Sequence, residues 1–172
     1  DVEEAVLGAL MLENEAYDKI ETILSESSFY KLEHRIIFDV VKSLHKSDKP
    51  VDFMTVTNEI KNIGKLEQVG GVMFLMNLTN KVATAAHIEF HARIIKQKFI
   101  QREIIRVSSE IQIMAYDDTQ DVDDLLSFMT SEVDSINNGI SGSDEGKSSK
   151  KIAKNAMKEI IEDYEKAKSN KL

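Results

Sequence analysis

The 172-residue sequence contains no cysteine and no tryptophan, a single proline and only seven glycines. Without cysteine there is no disulfide staple, no thiol nucleophile and no zinc site built on thiolates, and a reducing, cytoplasmic setting is expected. With so few breakers, a sandwich or barrel of many short strands, which needs a turn every few residues, is excluded. No apolar run approaches the roughly 18–20 residues that span a bilayer, and no basic-then-apolar leader is visible, so no membrane role is expected. Positive charge is also short: the formal net charge is -8. A domain that grips nucleic acid strongly through its own field does not look like this.

What is present is 42% hydrophobic and 30% charged residues, enough for a helical domain with a real core. The charge is uneven. Residues 1–116 hold 17 acids against 14 Lys and Arg, 117–146 hold nine acids and no Lys or Arg, and 147–172 hold eight Lys against four acids. The shifts bracket a Gly/Ser stretch around Gly139 to Gly146, which reads as a flexible linker. The expected organisation is a body over 1–138, a linker over 139–149 and a separate helix over 150–172. The body itself divides into a globular part, about 1–83, and a helical hairpin, about 84–138.

Within the body, Val6, Leu7, Leu10 and Met11 recur at helical spacing and predict a first helix over Val2 to Glu13. Asn14 is expected to cap a second short helix with Ala16, Tyr17, Ile20 and Ile23 as its stripe. A third follows Phe29-Tyr30, with Ile36, Ile37, Val40, Val41 and Leu44 inward and Pro50 as its stop. Asp52 is expected to cap a fourth, carrying Met54, Val56 and Ile60 and closed by Gly64. Gly70-Gly71 marks a turn before Val72 to Met76, read as helix because no partner strand is near. From about Thr84 an apolar face of Ile88, Ile94, Ile95, Phe99, Ile104, Ile105 and Ile111 runs to about Tyr116. That is one helix of about 30 residues, far above the usual length. Leu125, Leu126, Met129, Val133 and Ile136 form a returning helix. The fold class is all-α: a compact bundle, a protruding long hairpin that wants a partner for its stripe, then the linker and its amphipathic helix.

No string carries catalysis. Gly142 to Ser148 comes near a phosphate-binding loop, but the first glycine of G-x-x-x-x-G-K-[ST] would fall on Ser141, no strand precedes it, and Asp144 and Glu145 would repel phosphate. His87 and His91, four apart with Glu89 between, could face one metal, but the glutamate does not follow the first histidine as in zinc hydrolases. They read as helix surface, and His34 and His45 as structural residues. In the basic tail, lysines alternate with Glu159, Glu162, Asp163 and Glu165 around a stripe of Ala153, Met157, Ile160, Ile161 and Tyr164. Mixed charge around such a stripe favours docking on a protein groove over nucleic acid or lipid.

Several strings in a distinctive order go further: Glu4-Ala-Val-Leu-Gly-Ala-Leu-Met11, Phe29-Tyr30, His34 with Ile37-Phe38, Pro50-Val-Asp52, and Leu66-Glu-x-Val-Gly-Gly71 with Phe74-Leu75. They continue with Ala85-Ala86-His-Ile-Glu89, His91-Ala-Arg-Ile-Ile95 and Asp121-Val-Asp123. The ordered set closely resembles the N-terminal domain of bacterial replicative DNA helicases, the DnaB family, over 1–138. Residues 139–172 then fall where that family has its linker and linker helix. The RecA-like motor with its phosphate loop is absent, so the chain is expected to be a piece ending just before the ATPase.

The resemblance implies a non-catalytic scaffold in a hexameric helicase that unwinds duplex DNA at the replication fork. Copies would pair through the hairpin, and three such dimers would form a collar that recruits the primase C-terminal domain and the helicase loader. The linker helix, through Met157, Ile160, Ile161 and Tyr164, would pack on the motor domain of the neighbouring subunit. Self-association residues implied in the hairpin are Ile88, Ile95, Phe99, Leu126 and Met129. Alignment with the family places primase contacts at Phe74, Ile105 and Ile111. ATP and magnesium belong to the parent protein's motor; no cofactor or metal is expected in this stretch. The competing readings are an unrelated helical protein–protein adaptor and a small metal hydrolase using His87 and His91.

Overall fold

Val2–Leu12 is apolar on nearly every side, and it forms the central helix, α1, from which only the last residue is exposed. The computed structural model describes residues 2–141, which hold helices and loops and no strand. The chain divides into two compact units between Asp118 and Thr119.

The first unit holds α1 and four further helices: α2 (Leu32–Lys46), α3 (Phe53–Asn62), α4 (Gly71–Asn80) and α5 (Ile88–Ala115). α1 packs against all four. Leu7, Leu10, Phe29, Phe38, Ile60 and Leu78 are fully buried around it. Each such side chain contributes about 1.5–3 kcal/mol by leaving water. α1 and α4 come close at Gly8, where a Cβ would lie 2.2 Å from the Leu78 carbonyl oxygen. Only glycine lets the two backbones come that near.

The start of α1 is polar yet buried. Glu3 accepts the Tyr30 amide at 2.7 Å through Oε1, and its Oε2 lies 2.5 Å from His34 Nδ1. His34 is fully buried and its Nε2 has no hydrogen-bond partner. Glu4 pairs with Lys81 and lies 3.8 Å from Lys31. Two acids in the first turn also suit the helix dipole.

The helix ends show which residues act as punctuation. Asp52 caps α3 as expected: its Oδ1 accepts the Thr55 amide at 2.8 Å, and Thr55 Oγ1 accepts the Asp52 amide at 3.0 Å. Those bonds, the Thr55 amide first, hold the Asp52 carboxyl below its usual range. α3 is closed through Gly64, which adopts φ 70°. α2, in contrast, is not stopped by Pro50. Asp48 takes φ 52°, and the Lys49 amide bonds the Leu44 carbonyl at 3.0 Å while the Asp48 amide bonds that of His45 at 3.1 Å. This pair of bonds satisfies the last carbonyls before proline is reached. Because a left-handed conformation strains any side chain, Asp48→Gly is expected to raise stability by about 0.5–1 kcal/mol, read by urea unfolding. No gain would mean that the Asp48 side chain offsets its own strain.

Two further expectations are corrected. The segment after α1 is not an amphipathic α-helix. Asn14–Ala16 is a single 3₁₀ turn, and Asn14 Oδ1 accepts the Val51 amide at 2.8 Å instead of capping. Residues 17–23 continue as turns, with amides of Ile20 and Ile23 bonded three residues back. Ala16, Tyr17 and Ile20 are nonetheless buried. Met54 is the other case: it sits on α3 with Val56 and Ile60 but faces solvent. The short string after Gly70-Gly71 is helical, as expected.

α5 begins at Ile88 rather than Thr84 and runs 28 residues without glycine or proline. Residues 117–121 follow it, and the second unit then contains α6 (Val122–Ser141). α6 therefore continues past 139, where the linker was expected to begin. The rest of the linker and the helix expected over 150–172, with Met157, Ile160, Ile161 and Tyr164, lie outside the described residues.

Candidate functional site

The sequence-predicted site residues are placed on several different surfaces of the described residues. His87 is exposed at the entry to α5, and His91 is half-buried beside the Phe90 ring at 6.0 Å. Among the described residues, the three-ligand grouping is Asp18, Glu21 and His45, and it does not involve the pair singled out in sequence. There His45 Nε2 lies 2.9 Å from Asp18 Oδ1, in the last turn of α2.

α4 positions Phe74. Gly70 enters the helix at φ 93°, and a Cβ there would come within 3.1 Å of Phe74 Cβ. The Phe74 ring is half-buried against the core and lies parallel to His34, with centroids 6.1 Å apart and planes at 10°. A side chain in that position supports packing as well as any partner. Ile105 is different, at 66% exposed on α5. Ile111 is half-buried. Six residues apart, the two differ by about 120° around the helix, so one partner face does not hold both.

The five hairpin residues also separate. Ile88 and Ile95 are 2% and 3% exposed and belong to the core around α1. They are spent inside the chain, which corrects their assignment to self-association. Phe99 is half-buried, with the Arg102 guanidinium 5.9 Å from its ring and Lys96 Nζ 5.8 Å from it. Burial holds the Lys96 ammonium below its usual range. On α6, Leu126 is 54% exposed and Met129 half-buried. With Val122, Val133 and Ile136 they fall within an arc of about 80°, and none of residues 122–139 is buried. Ile104, Ile113 and Tyr116 add exposed apolar surface beyond Ile95 on α5.

One constellation was not legible from spacing. Tyr30 is 69% exposed, yet its loop is fixed from two helices. Arg102 Nη2 donates to the Ser28 carbonyl at 2.7 Å, and Arg35 Nε donates to that of Phe29 at 2.7 Å. The Arg102 guanidinium lies 5.5 Å from the Tyr30 ring centroid. Phe29-Tyr30 is one of the family-like strings, but its spacing gives no sign that Tyr30 is exposed and clamped.

Comparison with known proteins agrees with this geometry. The sequence model described as the DnaB-like helicase N terminal domain matches residues 1–97. The chain is 39% identical over 133 residues to the replicative DNA helicase DnaB of Rhodothermus marinus, covering 77% of this chain and 14% of that one. It is also 39% identical over 127 residues to the replicative DNA helicase DnaC of Bacillus subtilis, covering 74% and 28%. The chain thus spans under a third of either relative. Among solved structures, the N-terminal domain of DnaB helicase from Mycobacterium tuberculosis matches with a TM-score of 0.73 at 26% identity, over 77% of this chain and 93% of that one. A DnaB-like replicative helicase, described with its interactions with primase, shares the fold with a TM-score of 0.65 at 24% identity, over 80% and 30%.

Proposed function

The chain belongs to the DnaB-like helicase N-terminal domain family, and from that premise we propose that it is the non-catalytic assembly module of a hexameric replicative helicase in the cytoplasm. It pairs copies through the apolar residues of α5 and α6, and three pairs build the collar. The same outer surface recruits the primase C-terminal domain and the helicase loader. Residues 150–172 dock on the motor of a neighbouring subunit, where ATP and magnesium drive unwinding.

The observation that carries this reading is the division of α5. Ile88, Ala92 and Ile95 close the core, and of the residues beyond them on this helix only Val107 is buried, while Ile104, Ile105 and Ile113 stand exposed. Ile104 and Ile113 lie on opposite sides of the helix with Ile105 between them, so this exposed apolar surface suits more than one contact.

Two substitutions test the two halves of the proposal. Ile105→Ala is expected to weaken binding of the primase C-terminal domain by about 1–3 kcal/mol, the range for an anchor residue. The melting temperature should hold, since an exposed side chain adds little to the core. Isothermal titration with unchanged affinity would remove Ile105 from the interface. Phe74→Ala is a poorer probe, because it also removes support from His34 and the core. Leu126→Asp places a charge in the α6 stripe, and sedimentation should show association at least about tenfold weaker. A native chain that sediments as a monomer at high micromolar concentration would sink the pairing itself.

A further inference from the structure

We propose that the clamped Tyr30, with Arg102 against it and Lys98 one turn away, forms a socket for the acidic turn at 117–124 of a second copy of this chain. This rests on the self-association reading and names the surfaces that meet.

The socket combines an exposed aromatic with fixed positive charge. Tyr30 is held by the Arg102 and Arg35 bonds to its own loop, so little conformational freedom is lost on contact. Leu32 is exposed two residues on. On α5, exposed Lys98 lies one turn before Arg102 on the same side of the helix, whereas Arg106 is paired with Glu103 and Glu110 and Arg93 lies on the opposite side. Rigid tyrosine next to arginine is the composition that dominates interface energetics.

The complement is the turn after α5. Asp118, Asp121, Asp123 and Asp124 are exposed there, with exposed Tyr116 and Val122 on either side, and no Lys or Arg occurs between 117 and 134. Opposite charge with apolar side chains on both surfaces gives steering and register together. The turn cannot serve its own socket. α5 is one unbroken helix from Ile88 to Ala115. At about 1.5 Å per residue, Asp118 lies more than about 20 Å along it from Arg102. The occupant is therefore another molecule's turn.

Two double variants of the full chain provide the test. Asp118→Lys/Asp124→Lys spoils the turn, and Tyr30→Ala/Lys98→Glu spoils the socket; all four positions are exposed. Each variant alone is expected to associate about tenfold more weakly than the native chain by sedimentation, with unchanged melting. Mixed in equal amounts they should regain association, because one intact socket then meets one intact turn. Native association should also weaken as salt rises. Two variants that associate like the native protein would overturn the socket while leaving pairing through the α6 stripe intact. Loss in each without recovery on mixing would overturn it as well. A native chain with no association would overturn both readings. If a labelled single-stranded oligonucleotide bound the native chain and not the Tyr30 variant, with association unaffected, the patch would belong to nucleic acid instead.

Discussion

Gly8→Ala is expected to destabilise the first unit by about 3 kcal/mol or more, beyond the usual cost of an overpacked methyl group. The added Cβ would sit 2.2 Å from the Leu78 carbonyl oxygen, 2.9 Å from its carbonyl carbon and 3.0 Å from Val82 Cγ2. Two of those atoms are backbone of α4, so no rotamer change relieves the contact. α1 cannot retreat either, since its other faces pack on α2, α3 and α5. Alanine's better helix propensity, about 1 kcal/mol, works in the opposite direction and is too small to compensate. Thermal unfolding should show a fall of roughly 10 °C for a domain of this size. An unchanged melting temperature would show that α1 and α4 separate freely in solution.

Glu3→Ala should cost about 3–5 kcal/mol at neutral pH, the range for removing one member of a buried charged or hydrogen-bonded pair. It strands the Tyr30 amide and the Nδ1 of His34, whose other ring nitrogen already has no partner. The effect carries a pH signature. Burial pushes the Glu3 carboxyl up, but bonds from His34 and the Tyr30 amide, together with the His34 charge, outweigh it and hold it below its usual 4.5. A carboxyl depressed on folding contributes stability that is complete above its unfolded value and disappears as pH falls through its folded one. The gap between native protein and Glu3→Gln, which keeps the shape but never ionises, should therefore be widest at neutral pH. It should narrow as pH drops below about 4.5. Glu4, Glu26 and Asp52 are also held low and remain in both proteins, so the gap isolates Glu3. Urea midpoints that differ by the same amount at pH 7 and pH 3 would show that folding does not depress the Glu3 carboxyl.

Much of this architecture is readable from local pattern because the helices are local objects. Asp52 with Thr55 three residues later is a self-contained cap, and the stripe of α2 needs only its own spacing. What was misread depends on distant partners. Asn14 looks like a cap until Val51, 37 residues away, claims its side chain. His34 looked like an isolated residue because Glu3 lies 31 positions earlier. Periodicity showed that α5 has an apolar face, but it carries no record of which neighbour covers which part. Ile88 and Ile95 were therefore assigned to another copy when α1 already encloses them. The same limit hid Tyr30, whose two arginines come from α2 and α5. The family itself was legible, because ordered strings such as Leu66 to Gly71 encode turns that few other folds repeat in that sequence.

The undivided length of α5 has an evolutionary corollary. The contiguous core stops at Ile95, and the family's sequence model stops matching at residue 97. No break in the backbone marks that point; beyond it, of residues 96–115, only Val107 is buried. Apart from buried Val107 and Arg102, which holds the Ser28 carbonyl, substitutions beyond it should cost the fold little. The exposed side chains on the outer half of this one helix are therefore able to vary while the core inside it stays the same. Chimeras joined just after Ile95 should stay folded while exchanging their partners.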